Sequence, residues 1–398
     1  EPSQQYANRQ DSDDRLSNAV VDFRFDRDLN SGRDLSIWAN ASQSTLDDLW
    51  LTNPQFQLVN VPLVGPVPFY TGLAPRRVRQ KLHNESLVGR YRWLSDAGIE
   101  SSLQVSAARS GIEINNFIDE TRNTFDIDYQ ARYAIGTHDV LWGLSHRSSS
   151  DEIGTDGTYF NIQPTNYTQR NSGIFLHDDW TLVPERLKLG IGGRLDRATA
   201  NGTQTSLNAS LLWTPTRADS AWIKLARSPR ISSRGERDIS LLTGVSLIPV
   251  PGQQGVNIPL INHVTNNSDL GPEKMKGVEF GYRKQLAANL GADLSAYHQR
   301  YTDLRGAALL GMYGCHPMFA GLGIAFDPAS CAHFGLPAGS PVLFSQSQTA
   351  NNLAGTSRGV ELAVDWLVSP GWRLQLSYAW NRIDMDNNHD PIARTSIA

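Results

Sequence analysis

The chain has 398 residues, 40% of them apolar, and a formal net charge of -4. That length suits two soluble domains or one large barrel, and the slightly acidic balance argues against a nucleic-acid partner. No run of eighteen apolar residues occurs, which excludes a transmembrane helix but not a membrane, because barrel strands carry apolar residues only at every second position.

The chain opens at Glu1 with neither Met nor signal peptide, as a processed chain or an excerpt of a longer one does. Residues 1 to 15 are polar and read as a loop. Alternation starts at Ala19: Ala19, Val21, Phe23 and Phe25 oppose Asp22, Arg24 and Asp26. A turn at Asp28 to Arg33 leads to Leu35, Ile37, Ala39 and Ala41, and a long connection follows from Gln43 to Gln80. Leu87, Gly89, Tyr91 and Trp93 then turn through Ser95 to Gly98 into Leu103, Val105 and Ala107.

The clearest strand is Phe125 to Tyr133, with Phe125, Ile127, Tyr129, Ala131 and Tyr133 against Asp126, Asp128, Gln130 and Arg132. Eight steps of about 3.3 Å tilted by about 45° rise roughly 19 Å, close to the height of an apolar membrane band. A turn at Gly136 gives Val140, Trp142 and Leu144, and a longer connection runs from Ser148 to Gln169. Ser172 to Leu182 turns at Pro184-Glu185 into Leu187, Leu189, Ile191, Gly193 and Leu195. Leu207, Ala209, Leu211 and Trp213 turn into Ala221, Ile223 and Leu225. A very long loop is expected over Pro229 to Asn266, and another over Arg305 to Thr349 after the hairpin of Val278, Phe280 and Tyr282 with Ala292, Leu294 and Ala296. The last hairpin pairs Val360, Leu362, Val364 and Trp366 with Leu374, Leu376, Tyr378 and Trp380 across Pro370-Gly371.

This pattern predicts an all-β fold, an antiparallel transmembrane β-barrel with about fourteen strands present. Connections are expected to alternate strictly between short and long, as short periplasmic turns and long extracellular loops do. Trp93, Trp180, Trp213, Trp222, Trp366 and Trp372 sit beside the short turns, where indole suits a membrane–water boundary. Charge decides the sidedness. Reversing the faces would place Asp22, Arg24, Asp26, Asp126, Asp128 and Arg132 in lipid, at about 2–4 kcal/mol for each mid-bilayer Arg.

Four stretches resemble the TonB-dependent receptors, 22-stranded transporters of the Gram-negative outer membrane. DLGPEKMKGVEFGYR resembles the family's Leu-x-Pro-Glu segment and following Glu-x-Gly strand through Leu270, Pro272, Glu273, Glu279, Gly281 and Arg283. Asn352, Ala354, Gly359 and Glu361 resemble a later strand with Asn and small residues before Gly-x-Glu. HDDWTLVPERLKLGIGGRLD resembles a hairpin with an acidic pair before Trp and Gly-x-Arg after the turn. LLWTPTRADSAWIKLARSPRISSR resembles the strand ending in an Arg-x-Pro-like segment, here Arg227-Ser228-Pro229-Arg230. These cover about residues 125 to 383; residues 1 to 120 rest on strand pattern alone.

The resemblance implies one barrel domain over 1–398, without the family's plug, its coupling box or its terminal aromatic strand. About eight further strands would complete the family's barrel. It implies energy-coupled import of a scarce solute, first of all an iron–siderophore complex, by a monomer in outer-membrane lipid. The TonB–ExbB–ExbD complex would act through the plug. Rivals are a passive porin-like channel and a surface adhesin or phage receptor. No enzyme activity, cofactor or metal is expected.

Candidate ligand contacts are Trp50, Phe56, Phe69 and Tyr70 with Arg76, Arg77, Arg79 and Lys81, since aromatics and guanidinium groups suit an anionic, partly aromatic chelate. Arg305 and Tyr313 are weaker candidates. Cys315 and Cys331 share one expected extracellular loop, where oxidising conditions favour a disulfide worth about 3 kcal/mol. His316 and His333 flank them without zinc-like spacing. His177-Asp178-Asp179 and His146 beside Ser148 to Ser150 show no readable base–orienter arrangement.

Overall fold

The computed structural model describes residues 15–30, 32–61, 65–115, 117–157, 160–249, 257–333, 336 and 339–386, without the side chains of 30, 51–76, 330 and 333. Fourteen long strands form one antiparallel series. In chain order they are β1 (Leu16–Asn30), β2 (Arg33–Val61), β3 (Gly65–Leu94), β4 (Glu100–Ile114), β5 (Ile118–Ile135) and β6 (His138–Thr155). After the short β7 (Phe160–Ile162) come β8 (Asn166–Val183), β9 (Leu187–Ala198), β10 (Gly202–Thr216) and β11 (Asp219–Arg230). The helix α1 (Arg234–Arg237) and the strands β12 (Ile239–Pro249) and β13 (Asn257–Thr265) precede β14 (Glu273–Ala287) and β15 (Leu290–Gly314). A 3₁₀ turn (Pro317–Leu322), β16 (Ala325–Phe326) and α2 (Pro328–His333) lead to β17 (Leu343–Ser369) and β18 (Trp372–Asp386).

Each long strand pairs with the next long strand in sequence, so β6 meets β8, β11 meets β14 and β15 meets β17. Among the described residues β1 pairs only with β2, and β18 only with β17. Register keeps like with like: Phe125 faces Ala107 on β4, and Asp126 faces Arg147 on β6. Among the described residues the apolar face has no protein cover. Phe125 is 46% exposed, Leu225 52%, Ile191 54% and Trp213 52%. In water this face would be an aggregation surface; in hydrocarbon it is a matched one.

The polar face carries ion pairs between neighbouring strands. Arg92 meets Asp34 at 2.9 Å, Arg147 meets Asp126 at 2.5 Å, and Arg283 meets Asp293 at 2.5 Å. Rings on this face lie over glycines. Trp222 stands opposite Gly281, His177 opposite Gly192 and Tyr297 opposite Gly359. A Cβ at Gly281 would sit 2.0 Å from the indole, and one at Gly192 would sit 2.5 Å from the imidazole. The Glu-x-Gly spacing thus has a local reason: Gly281 makes room for Trp222, and Glu279 accepts its N–H at 2.9 Å.

Two sequence expectations need correction. Connections do not alternate strictly: β4–β5 and β9–β10 close at the outer end through Ile114–Ile118 and Ala198–Gly202. The expected long loops are largely strand. β2 and β3 pair along 29 and 30 residues, far beyond the nine to eleven that span a bilayer. The second loop supplies Tyr313, Leu336, Val342 and Phe344, and β13 of the first supplies Ile261, to a packed cluster around the Cys315–Cys331 disulfide. Packed apolar cores belong there because the wall itself is one layer thick.

Candidate functional site

The outer end of the polar face gathers most of the buried polar groups, and α1 is its centre. Glu236 accepts the Ser233 backbone N–H at 2.9 Å, three residues apart as in a capping box, which fixes this four-residue helix. Arg234 is 5% exposed and contacts Asp151 of β6, the Pro164 carbonyl and Asp238. Arg237 donates to Asp238 at 2.7 Å, and both guanidinium groups lie about 5 Å from the Tyr167 ring. At the other end of α1, Arg230 and Arg305 converge on Glu236, and Glu273 holds Arg230 and accepts the Arg305 N–H at 2.9 Å. Thr349 of β17 donates to the Glu236 carbonyl at 2.7 Å. Thus α1 ties β6 and β8 to β14, β15 and β17 across the polar face.

The charges respond to this packing. Burial pushes the Asp151 carboxyl up, against the pull of Arg234 and Arg122. Asp238 is equally buried, yet hydrogen bonds from Arg237 and Arg234 outweigh that penalty and hold it below the usual carboxylate range. Burial likewise opposes Glu236, and Arg230 and the Ser233 N–H win, so it too is lowered. The Arg230 hydrogen bond lowers Glu273. All four groups lie beyond the apolar band.

An aromatic ladder reaches β7, which pairs with β12 directly after α1. Trp50 meets Phe117 edge-on at 5.6 Å, and Phe117 stacks on Phe160 at 5.1 Å. Each ring is half-buried, and the Trp50 N–H is held by Asp48 at 2.9 Å. Sequence reading found Trp50 and missed Phe117 and Phe160, because they sit in a tight turn and on a three-residue strand. Phe56, Phe69, Tyr70 and Arg76 occupy the β2–β3 ribbon, where Phe56 pairs with Tyr70 and Trp50 with Arg76; their side chains lie outside the described residues. Strand parity puts Arg77, Arg79 and Lys81 on the same outward face as Leu87, so these cations turn away from the polar face. Arg79 is paired with Asp47 at 2.7 Å. Tyr313 is buried and stacks on Phe344 at 4.9 Å, so its ring serves packing.

The disulfide joins Cys315 to Cys331 with their Cα atoms 5.7 Å apart. The His316 ring accepts the Met318 N–H at 3.1 Å and so caps the 3₁₀ turn; the His333 side chain lies outside the described residues. Among the described residues no three metal-ligating side chains converge. The motif residues take structural positions. Leu270 is buried, and its carbonyl accepts from Asn201 at 2.9 Å. Gly271, before Pro272, exchanges hydrogen bonds with Asn351, and Asn352 donates to the Ala307 carbonyl at 2.9 Å. Glu361 faces Ser295 on the polar side.

The family model for the TonB dependent receptor-like β-barrel matches residues 2–396. No curated relative matches the chain in sequence. Among solved structures, the siderophore receptor PirA from Acinetobacter baumannii is similar with a TM-score of 0.63 at 11% identity, covering 92% of this chain and 52% of that one. The ferric enterobactin receptor PfeA from Pseudomonas aeruginosa gives 0.62 at 14%, covering 92% and 51%. The copper transporter OprC gives 0.58 at 15%, covering 93% and 53%. The chain spans about half the length of these structures. With bare apolar residues on one face, ion pairs on the other and a family match along nearly its whole length, the chain belongs to the β-barrel family of the TonB-dependent receptors, proteins of the Gram-negative outer membrane.

Proposed function

We propose that this chain is the barrel wall of an energy-coupled importer of a scarce solute, with an iron–siderophore complex as the first candidate. The observation that carries the reading is the outer mouth. There the Trp50–Phe117–Phe160 ladder ends on β7, which pairs with β12 directly after the charged helix α1. Stacked rings and guanidinium groups suit a planar, anionic, aromatic chelate. The siderophore receptors among the similar structures support this reading, and the copper transporter widens the range of cargo. The TonB–ExbB–ExbD complex, acting through a plug, is the partner this reading requires.

A passive channel is the second reading. It draws on α1, which crosses the polar face at the mouth as a constricting segment would. Growth of a deletion strain on limiting ferric chelates, vitamin B12 or oligosaccharides separates the two. Loss of growth on one scarce nutrient, restored only when the coupling complex is intact, supports import. Undiminished growth on every nutrient overturns it.

A further inference from the structure

Just above the apolar band, one sector of the outward face is crowded with cations. Arg227 on β11 stands directly opposite Lys276 on β14, and Lys276 directly opposite Arg300 on β15. One step toward the band, His298 stands opposite Arg358 on β17, and Arg358 opposite Arg382 on β18. All six are exposed. Strand parity places them in line with Leu225, Val278, Val360 and Trp380, on the lipid side of the wall.

Like charges directly opposite on paired strands destabilise a sheet, so this arrangement works against the fold unless an anion sits on it. The chain supplies little of its own. Arg358 and Arg382 share Asp384, at 3.6 and 2.9 Å. Arg227, Lys276 and Arg300 have no ion pair with a described residue. Elsewhere near the outer boundary the same face balances its cations: Arg79 with Asp47, Lys81 with Glu113, and Lys274 with Asp303, the last only one step beyond the bare row.

We propose that the Arg227–Lys276–Arg300 row, with Arg358 and Arg382 beside it, binds the phosphate groups of an outer-leaflet lipid. The lipid's acyl chains would lie along Val278, Phe280, Leu225 and Val360 directly below. Adjacent phosphates on one headgroup match cations one strand spacing apart, about 4.8 Å. A free anion would gain the charge contacts but not the apolar wall. The inference rests on the outward face meeting lipid, and is independent of what the protein transports.

The test uses the full-length protein in phosphatidylcholine nanodiscs, titrated with a fluorescent diacyl lipid carrying two phosphates. The wild type retains this lipid. Arg227→Gln/Lys276→Gln/Arg300→Gln weakens retention by roughly 100-fold, from about fivefold for each cation at an anionic surface. Arg227→Lys/Arg300→Lys keeps it, and Arg373→Gln on the polar face leaves it unchanged. Equal retention by wild type and triple variant overturns the proposal. So does equal retention of the dephosphorylated lipid, or displacement by inorganic phosphate mole for mole. Should the triple variant lose the heat-dependent gel shift of a folded barrel, Arg300→Gln alone carries the test. A loss of about fivefold supports the proposal, and unchanged retention overturns it.

Discussion

Trp222 and Gly281 face one another across β11 and β14, and the indole occupies the space that a side chain at Gly281 would fill. Its N–H is held by Glu279 two residues away. Gly281→Val drives two branches into that ring, and overpacking of this kind costs about 1–3 kcal/mol. The double variant with Trp222→Ala recovers most of the loss. Urea unfolding of the four proteins in a double-mutant cycle measures this, and additive effects would refute it.

Arg234 is the buried cation that Asp151 and Asp238 share. Arg234→Met leaves two buried carboxylates with weaker partners, and breaking such a pair costs about 3–5 kcal/mol. The loss falls on the outer mouth, because the wall's own hydrogen bonds are untouched. Hydrogen exchange should speed up at residues 231–238 and 160–167 while β9 and β10 stay protected.

The same mouth should loosen in acid. Asp238, Glu236 and Glu273 are lowered in the folded state. Their stabilisation is complete above the ordinary carboxylate values, about 4, and is lost as pH falls through their lower folded values. Asp151 is raised and acts in the opposite sense, since protonation relieves its burial. The expected direction is that of the three lowered groups. Protection factors for 231–238, corrected for intrinsic exchange, should fall below about pH 4, and Glu273→Gln should flatten the curve.

Reduction should unfold one lobe and spare the wall. The Cys315–Cys331 bridge, spanning 16 positions, is the centre of a cluster in which Val342 and Phe344 are fully buried. Closing a loop of that size is worth about 3 kcal/mol. Reductant, or Cys315→Ser with Cys331→Ser, should open the 315–342 segment to protease while the folded-barrel gel shift persists.

The wall was legible because a period of two is simple and lipid enforces it. Asp126 and Phe125 can occupy only one arrangement at mid-membrane. Above the band both faces of a strand meet water, the alternation has no cause, and the outer parts of β2, β3, β15 and β17 read as loops. The Arg234 cluster was hidden for a different reason: Asp151, Pro164 and Asp238 come from three separate stretches of chain. The spacing of Ser233 and Glu236 was the available signal, since Ser followed by Glu three residues later marks a capping box. Trp180, one of the six indoles beside short turns, stacks with His138 at 5.2 Å on the apolar side, in line with Leu176.

The central claim is tested most directly by nitroxide labels placed singly from residue 125 to 132 of the protein in bilayers. Labels at 125, 127, 129 and 131 should be relaxed mainly by oxygen, which concentrates in hydrocarbon. Those at 126, 128, 130 and 132 should be relaxed mainly by a water-soluble nickel chelate. Inverted preferences, or no alternation along the strand, would contradict it.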